Sequence, residues 1–385
     1  MIKPLSPLKY FKENKKKTAV IFITLFLAVL CISIITCTFT SILATATEAN
    51  IAPLREFSYI SAPNGNMFID ETVITKISDM ETTQSIYSVM IEYTLLKTII
   101  GNTSSPIVFI NDDENFKDVF KKTNLSLING RMPKQDEYEI IMHSNVLTNK
   151  NLKVGDTFGN EVDSNEMIGG TYTIVGEFIG DSIMGFGSKN FYLNSLQNSG
   201  IDTDNYTLGA VIFPKIGDLE AMNSNLETLD KTEASITTKT IVLKLFDEQT
   251  DSLNSILTLL ILIITFGMSV SVGALIYTFY NARNNEFGIL YAIGYSKKDV
   301  KKLIYKEILF ISILSWFLGY FASIGVLKII DIVLFKPLGQ NAVLFSIYAI
   351  SYTLIVPAFV FLCATIPIVR SLSKKDLVNV IERRG

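Results

Sequence analysis

Long apolar stretches alternate with charged stretches along the chain. Four runs of at least 20 residues contain no charged residue, at 18–47, 252–282, 308–327 and 337–369. A helix of about 20 apolar residues crosses the hydrocarbon core of a bilayer, and an aspartate or lysine near its middle costs roughly 2.5–3.5 kcal/mol on insertion scales. The pattern therefore predicts four transmembrane helices, which we number 1 to 4.

The region between the first two runs has a different pattern. Residues 138–142, 172–178 and 208–213 are rich in β-branched and aromatic residues, and turn-forming residues separate them from helix-compatible segments. This mixture predicts a domain of the α+β class.

Charge divides the chain into two kinds of segment. Residues 46–250 carry 15 Lys+Arg against 29 Asp+Glu, whereas segments 1–17, 283–307 and 370–385 are each net basic. Short basic loops beside a span stay cytoplasmic, while a large domain is translocated whatever its charge. We therefore expect a multi-pass protein of the cell membrane with both termini cytoplasmic. Its expected fold is α-helical, with four transmembrane helices and a mixed α+β extracytoplasmic domain between helices 1 and 2.

The first apolar run has an alternative interpretation as a cleaved signal peptide. Basic residues 15–17 precede it, and residues 44–46 have the small side chains of a cleavage site. The apolar core of a signal peptide is typically about 7–15 residues long, and this run is far longer. A transmembrane helix is therefore the favoured interpretation.

Composition and rare residues exclude several protein classes. With 49% hydrophobic and 18% charged residues, the chain does not fit a soluble protein, a secreted enzyme or a nucleic-acid-binding protein. Cys31, Cys37 and Cys363 all lie in apolar runs, which argues against disulfides or a thiolate metal site outside the membrane. His143 is the only histidine, and no nucleophile motif accompanies it. We predict no catalytic residue and no metal site.

A cluster of glycines lies within the extracytoplasmic region. The cluster superficially matches a phosphate loop, but no Lys-Ser or Lys-Thr pair follows in register. We interpret it as a mobile loop, formed around Gly176, Gly180, Gly185 and Gly187.

Small residues recur at four-residue spacing in helices 2 and 3. They are Ser269 and Gly273 in helix 2, and Ser315, Gly319 and Ser323 in helix 3. Such spacing lets helix backbones approach closely in lipid. These faces are expected to pack against other helices, either within one chain or across a dimer.

The loop between helices 2 and 3 has the pattern of a helix, a break and a second helix. Residues 286–293 are helix-compatible, Gly294 is placed to end that helix, and Ser296 with Asp299 forms a capping box for the next one. Apolar Phe287, Leu290 and Ala292 would lie on a cytoplasmic surface, which predicts a docking element.

This loop resembles the FtsX/MacB-type permeases of ABC transporters, also called type VII or mechanotransmission transporters. The family pattern R-x-x-E-x-G-x-L-x-A-x-G-x-S is matched at Arg283, Glu286, Gly288, Leu290, Ala292, Gly294 and Ser296. Residues 130–133, 153–156 and 172–176 are similar to the periplasmic core of MacB.

The resemblance implies that a separate cytoplasmic ABC ATPase hydrolyses ATP while the permease carries its motion through the membrane. The chain has no GxxxxGK[S/T] phosphate loop, so ATP and Mg²⁺ are expected on the partner and no cofactor on this chain. By resemblance, Phe287 and the seven matched residues form the coupling element. Further expected partners are a second permease copy or a related permease, membrane lipid, and a peptide or amphiphile substrate.

Two functional classes stay open. The first is export or extraction of a peptide or amphiphile, for example an antimicrobial peptide, and the large external domain favours it. The second is FtsX-like signal transmission that activates a cell-wall hydrolase. A membrane-anchored enzyme unrelated to ABC transporters is a weaker alternative.

The expected organisation has nine segments. They are a cytoplasmic amphipathic segment 1–17, transmembrane helix 1 at 18–46, a MacB-like extracytoplasmic domain 47–250, helix 2 at 252–282, a cytoplasmic coupling loop 283–303, helix 3 at 304–334, an extracytoplasmic turn 335–341, helix 4 at 342–369 and a cytoplasmic tail 370–385.

Overall fold

The computed structural model describes residues 11–63, 66, 68–188 and 207–374. Residues 1–10 of the predicted amphipathic segment and 375–385 of the predicted tail lie outside this part. The chain divides into two compact units. We call them the membrane unit, with the described parts of Met1–Ser41, Ser252–Ile330 and Ala342–Gly385, and the sheet unit, with those of Ile42–Asp251 and Asp331–Asn341.

Helices occur in both units. In chain order the described α-helices are α1 Lys15–Ile51, α2 Glu71–Ser78, α3 Asp113–Lys122, α4 Ser144–Lys150, α5 Leu219–Leu226, α6 Lys239–Asn281, α7 Asn284–Ala292, α8 Lys297–Ile330 and α9 Ile347–Lys374. Short turns add a 3-10 helix at Pro53–Arg55, a π-helix at Asp331–Phe335 and a 3-10 helix at Lys336–Leu338.

The membrane-spanning prediction is confirmed. Among the described residues, four helices are long and apolar enough to cross a bilayer: Lys15–Ile51, Lys239–Asn281, Lys297–Leu338 and Ile347–Leu372. Two of them extend well beyond the charge-free runs, since α6 begins at Lys239 and α8 at Lys297. Charges end an apolar run without ending the helix, because a helix satisfies its own backbone hydrogen bonds in water as well as in lipid.

The small residues of α8 lie against α1 of the same chain. A Cβ built on Gly319 would lie 2.8 Å from the Phe26 carbonyl oxygen and 3.2 Å from Cβ of Val29. One turn further on, the Ser323 and Ser33 hydroxyls form a hydrogen bond of 2.7 Å. Ser315 on the same stripe is fully buried. Close backbone approach in this structure thus occurs inside one chain.

The small residues of α6 are buried in the same unit. A Cβ on Gly273 would lie 2.8 Å from Cβ of Cys363 in α9, and Ser269, one turn earlier, is fully buried. Only a glycine lets these two helices approach so closely. Further packing in this unit comes from apolar side chains of the four long helices and of α7.

The sheet unit is built on one mixed sheet. Its described strands are β1 Ser58–Ser61, β2 Thr83–Lys97, β3 Asn102–Ile110, β4 Ser126–Gly130, β5 Glu139–His143, β6 Thr157–Phe158, β7 Tyr172–Ile179, β8 Gly185–Ser188, β9 Gly209–Pro214 and β10 Ser235–Thr237. Their spatial order is β10-β1-β9-β2-β3-β8-β5-β7-β4, with β6 paired to β7. The pairs β3/β8 and β5/β7 are parallel and the other pairs are antiparallel. This sheet with its helices confirms the predicted α+β domain between the first two long helices.

Helices cover the sheet with apolar side chains. Phe120 of α3 packs edge-on against Phe178 of β7 and Phe186 of β8, with ring centroids 5.5 and 5.8 Å apart. A separate cluster joins α2 and α5 to β1 and β9. Burying these rings and aliphatic groups removes apolar surface from water, which is the main stabilising contribution to such a domain.

Three of the four glycines interpreted as a mobile loop lie in strands, and Gly180 lies in the connection between β7 and β8. Gly176 lies in β7, and Gly185 and Gly187 lie in β8. A Cβ on Gly187 would lie 2.6 Å from the Phe109 ring, and one on Gly176 would lie 2.5 Å from the Arg131 carbonyl oxygen. These glycines are needed because large neighbours fill the space that a side chain would occupy.

Candidate ATPase-coupling site

The segment after α6 has the helix, break and helix that the sequence indicates. Helix α7 ends near Gly294, whose φ of +99° favours glycine. The capping box then starts α8: the Ser296 hydroxyl donates to the Asp299 carboxylate at 2.6 Å, and the Asp299 backbone N–H donates to the Ser296 hydroxyl at 3.2 Å. These two devices fix the direction change between α7 and α8.

A buried ion pair holds the start of α7 to α8. Nη1 of Arg283 donates to Oε2 of Glu307 at 2.7 Å, and the Tyr280 hydroxyl donates to the same oxygen at 2.7 Å. Nε of Arg283 donates to the exposed carboxylate of Glu286 at 2.9 Å. Arg283 is 6% exposed and Glu307 is 1% exposed. The sequence motif contains Arg283, but neither Glu307 nor Tyr280 is part of it.

Two aromatic rings flank the Arg283 guanidinium. Its carbon lies 5.1 Å from the Tyr280 ring centroid and 5.0 Å from that of Phe287, within the range of a cation–π interaction. Burial alone would lower the pKa of Arg283, but the charge and hydrogen bond of Glu307 raise it above its ordinary value. The guanidinium therefore stays charged and serves as a fixed structural cation.

Phe287 does not lie on the surface that we predicted for it. Its ring is fully buried and stacks on Tyr280 at 6.4 Å between centroids. The gap that it lines together with Ile368 and Leu372 of α9 measures only about 10 Å³, hardly the space of one water molecule. Phe287 therefore anchors α7 within the membrane unit, and its predicted position on a cytoplasmic surface is corrected. Gly288 is also buried, and Leu290 packs partly into the same core.

A different stripe of α7 faces outward. Glu286, Ile289 and Ile293 recur at spacings of three and four residues, which places them on one helix face. Ile289 is 60% exposed and Ile293 is 66% exposed, and Ala292 beside them is also exposed. Sequence reasoning missed both isoleucines because the motif places its apolar positions one residue away. The sequence signal that could have found them is the helical spacing of three and then four residues from Glu286 to Ile289 and Ile293.

His143 has a structural role. Its Nδ1 accepts from the Asn145 backbone N–H at 3.0 Å, so Nε2 carries the proton toward the Gly180 carbonyl at 3.1 Å. Burial lowers the pKa of His143, which favours the neutral ring. Within the described ranges, no three or more His, Cys, Asp or Glu side chains are grouped to hold a metal ion.

Comparison with known proteins gives one family match and several structural likenesses. Residues 256–377 match the family model described as FtsX-like permease C-terminal, which contains the whole of α7 and α8. None of the curated proteins compared with the chain matches it.

Two solved structures are similar over about half of the chain. The periplasmic region of MacB from Actinobacillus actinomycetemcomitans has 13% identity and a TM-score of 0.30, and the match covers 51% of this chain and 96% of that one. The extracellular domain of the noncanonic ABC-type transporter YknZ from Gram-positive bacteria has 10% identity and a TM-score of 0.28, covering 47% of this chain and 99% of that one.

Proposed function

We propose that the chain is an ABC transporter permease of the FtsX/MacB type, which the family match over residues 256–377 supports. In this proposal a separate cytoplasmic ATPase docks on α7 and drives movement of the extracytoplasmic sheet unit. Both termini are cytoplasmic in this proposal, as the basic segments indicate. The moved substrate is a peptide or amphiphile, and a cationic one is favoured by the 29 acidic against 15 basic residues of 46–250.

The observation that carries the proposal is the division of α7 into two faces. Its inner face holds Phe287 and is fixed by the buried pair of Arg283 and Glu307. Its outer face presents Ile289 and Ile293 beside Glu286. Large apolar groups on a rigidly braced helix suit a protein contact, because burying them there requires little ordering of the permease.

Co-purification tests the docking surface. The partner is the ABC ATPase encoded nearest to the gene of this chain, and the variants are Ile289→Asp and Glu286→Lys. Both are expected to reduce ATPase recovery strongly while leaving the amount of folded permease unchanged. Ile216→Asp is the matched control, because Ile216 is 99% exposed in the sheet unit. Full ATPase recovery with Ile289→Asp would exclude α7 as the docking element.

A second measurement separates transport from signal transmission. ATP turnover by the purified complex is measured with cationic peptides, with neutral peptides and with lipid vesicles. Stimulation by one of these classes supports export or extraction. The FtsX-like alternative is supported instead if the rate of ATP turnover is the same with and without each of them and the sheet unit binds a cell-wall hydrolase.

A further inference from the structure

The turn that follows α8 belongs to the sheet unit. Residues 331–341 include a π-helical turn, a 3-10 turn and Gly339, and they group with the sheet and not with the helices of the membrane unit. We expected only residues 335–341 to form an extracytoplasmic turn, and residues 331–334 to belong to helix 3. The position of the turn makes α8 a continuous link from the capping box at Ser296 to the sheet unit.

Asn149 of α4 binds the turn with its side chain. Its Nδ2 donates to the Leu338 carbonyl at 2.7 Å and to the Lys97 carbonyl at 2.8 Å, while its Oδ1 accepts from the Lys97 backbone N–H at 2.8 Å. The amide group thus joins the end of β2 to the turn. Asn149 is buried, so water does not replace these bonds easily.

Two residues of the turn complete the attachment. Nε2 of Gln340 donates to the same Lys97 carbonyl at 2.7 Å, and Gln340 is buried. Gly339 has φ of +64°, and a Cβ on it would lie 2.3 Å from the Asn145 carbonyl oxygen. The turn therefore lies directly on the backbone of α4, at a distance that only glycine permits.

We propose that residues 336–341 are a rigid tether through which displacement of α8 reaches the sheet unit. The inference rests on the proposed function, because α8 is displaced only if a motor acts at α7. Glu307 of α8 holds Arg283 at the start of α7, and the far end of the same helix leads into the tether. Asn149, Gln340 and Gly339 are positioning residues that keep the tether closed on α4.

Hydrogen exchange on the full-length chain in complex with its ATPase tests the tether. Exchange is compared without nucleotide and with ATP plus vanadate, which holds ADP and vanadate on the ATPase after hydrolysis; this second condition is called ATP trapping. In the wild type, ATP trapping is expected to change exchange both in α7 and in the strands of the sheet unit. In Asn149→Ala, Gln340→Ala and Gly339→Ala, the change in α7 is retained and the change in the strands is lost.

Each variant has a matched control. Thr148→Ala alters the exposed neighbour of Asn149 on α4. Gly101→Ala puts a side chain at φ of +80° with nothing within 4 Å, so it reproduces the backbone strain of Gly339→Ala without the collision. Both controls are expected to behave like the wild type. A variant counts as folded if exchange of β5 and β7 without nucleotide is the same as in the wild type. If Asn149→Ala and Gly339→Ala are not folded, the result for Gln340→Ala alone decides whether the tether exists.

The outcomes separate the inference from the proposed function. If the strands of all folded variants respond as in the wild type, the tether is overturned while the coupling proposal stands. If the wild type itself shows no response to ATP trapping in α7 or in the strands, the proposed function fails, and the tether fails with it.

Discussion

The guanidinium of Arg283 and the carboxylate of Glu307 lie 2.7 Å apart, and both are almost completely buried. The two residues are 24 positions apart in the sequence and belong to different helical segments, one at the start of α7 and the other on α8. Within the described part of the membrane unit, this pair fixes how the outward face of α7 is presented.

Removing one partner of this pair should destabilise the membrane unit. Glu307→Gln removes the buried counter-charge of Arg283 and leaves only the exposed Glu286 paired with it. Removing one partner of a buried ion pair typically costs about 3–5 kcal/mol. Thermal unfolding of the purified chain in detergent measures the loss. Glu286→Gln is the control, because an exposed partner of Arg283 contributes only about 0–1 kcal/mol. The double variant Arg283→Glu with Glu307→Arg should recover part of the stability, and no recovery would mean that the surrounding rings fix the orientation of the pair.

Substitutions of Phe287 and Ile289 should differ strongly in their effect on the stability of the chain. Phe287→Ala removes a fully buried ring and is expected to cost about 3–5 kcal/mol in unfolding free energy. Ile289→Asp changes an exposed side chain and should stay within about 0.5 kcal/mol. Thermal unfolding of the two variants side by side checks this. Equal stability of the two would contradict the buried position of Phe287.

Two glycines of α8 should respond in opposite directions to the same substitution. Gly319→Ala places a methyl group 2.8 Å from the Phe26 carbonyl oxygen, and overpacking of this kind typically costs about 1–3 kcal/mol. Gly325→Ala meets nothing within 4 Å and should be neutral or stabilising by up to about 1 kcal/mol, because alanine is the better helix former. Unfolding temperatures of both variants give the comparison, and a destabilised Gly325→Ala would show that this face is also packed.

Glu139 should make the sheet unit sensitive to acid. The Arg131 guanidinium and the Lys134 backbone N–H lower the pKa of Glu139 from 4.5 to about 2. A carboxylate with a depressed pKa in the folded state contributes stability that is present above its unfolded pKa and is lost as pH falls toward about 2.

The matched variant is Glu139→Gln, measured in the full-length chain by chemical unfolding at several pH values. Its stability deficit should be constant above about pH 5 and should shrink as pH falls from about 4.5 toward 2, because the wild type then loses the same charge. A deficit independent of pH would show that the ionised form is not favoured by Arg131.

The sequence predicted the parts of the fold that depend on local chemistry. The four spans follow from the absence of charge over 20 or more residues, and the break at Gly294 with the Ser296 and Asp299 capping box follows from short-range backbone demands. These features need no knowledge of neighbouring segments. The family match over residues 256–377 agrees with the resemblance that the loop motif indicated.

The sequence did not predict features that depend on distant partners. Whether Phe287 or Ile289 faces inward is decided by Ile368 and Leu372, which are some 80 residues further along the chain. The role of Glu307 depends on the same kind of distant pairing. The glycines of β7 and β8 were interpreted as a loop because the sequence does not show which residues pack against them. Phe109 and the Arg131 backbone, which are distant in the sequence, leave no room for a side chain at Gly187 and Gly176.

Helix 4 contains two prolines. Pro357 and Pro367 lie inside α9, which continues through both to Lys374. A proline removes one backbone hydrogen bond and is tolerated in membrane helices, where neighbouring groups satisfy the freed carbonyl.

The length of α8 determines how far one of its ends moves when the helix tilts about the other. Its 34 residues at 1.5 Å per residue make an arm of about 50 Å. If such an arm pivots by about 5° at one end, its other end sweeps about 4 Å, a distance comparable to one helical turn. A small rotation at the Lys297 end would thus become a displacement of several ångströms at the Ile330 end, without any change inside the helix itself.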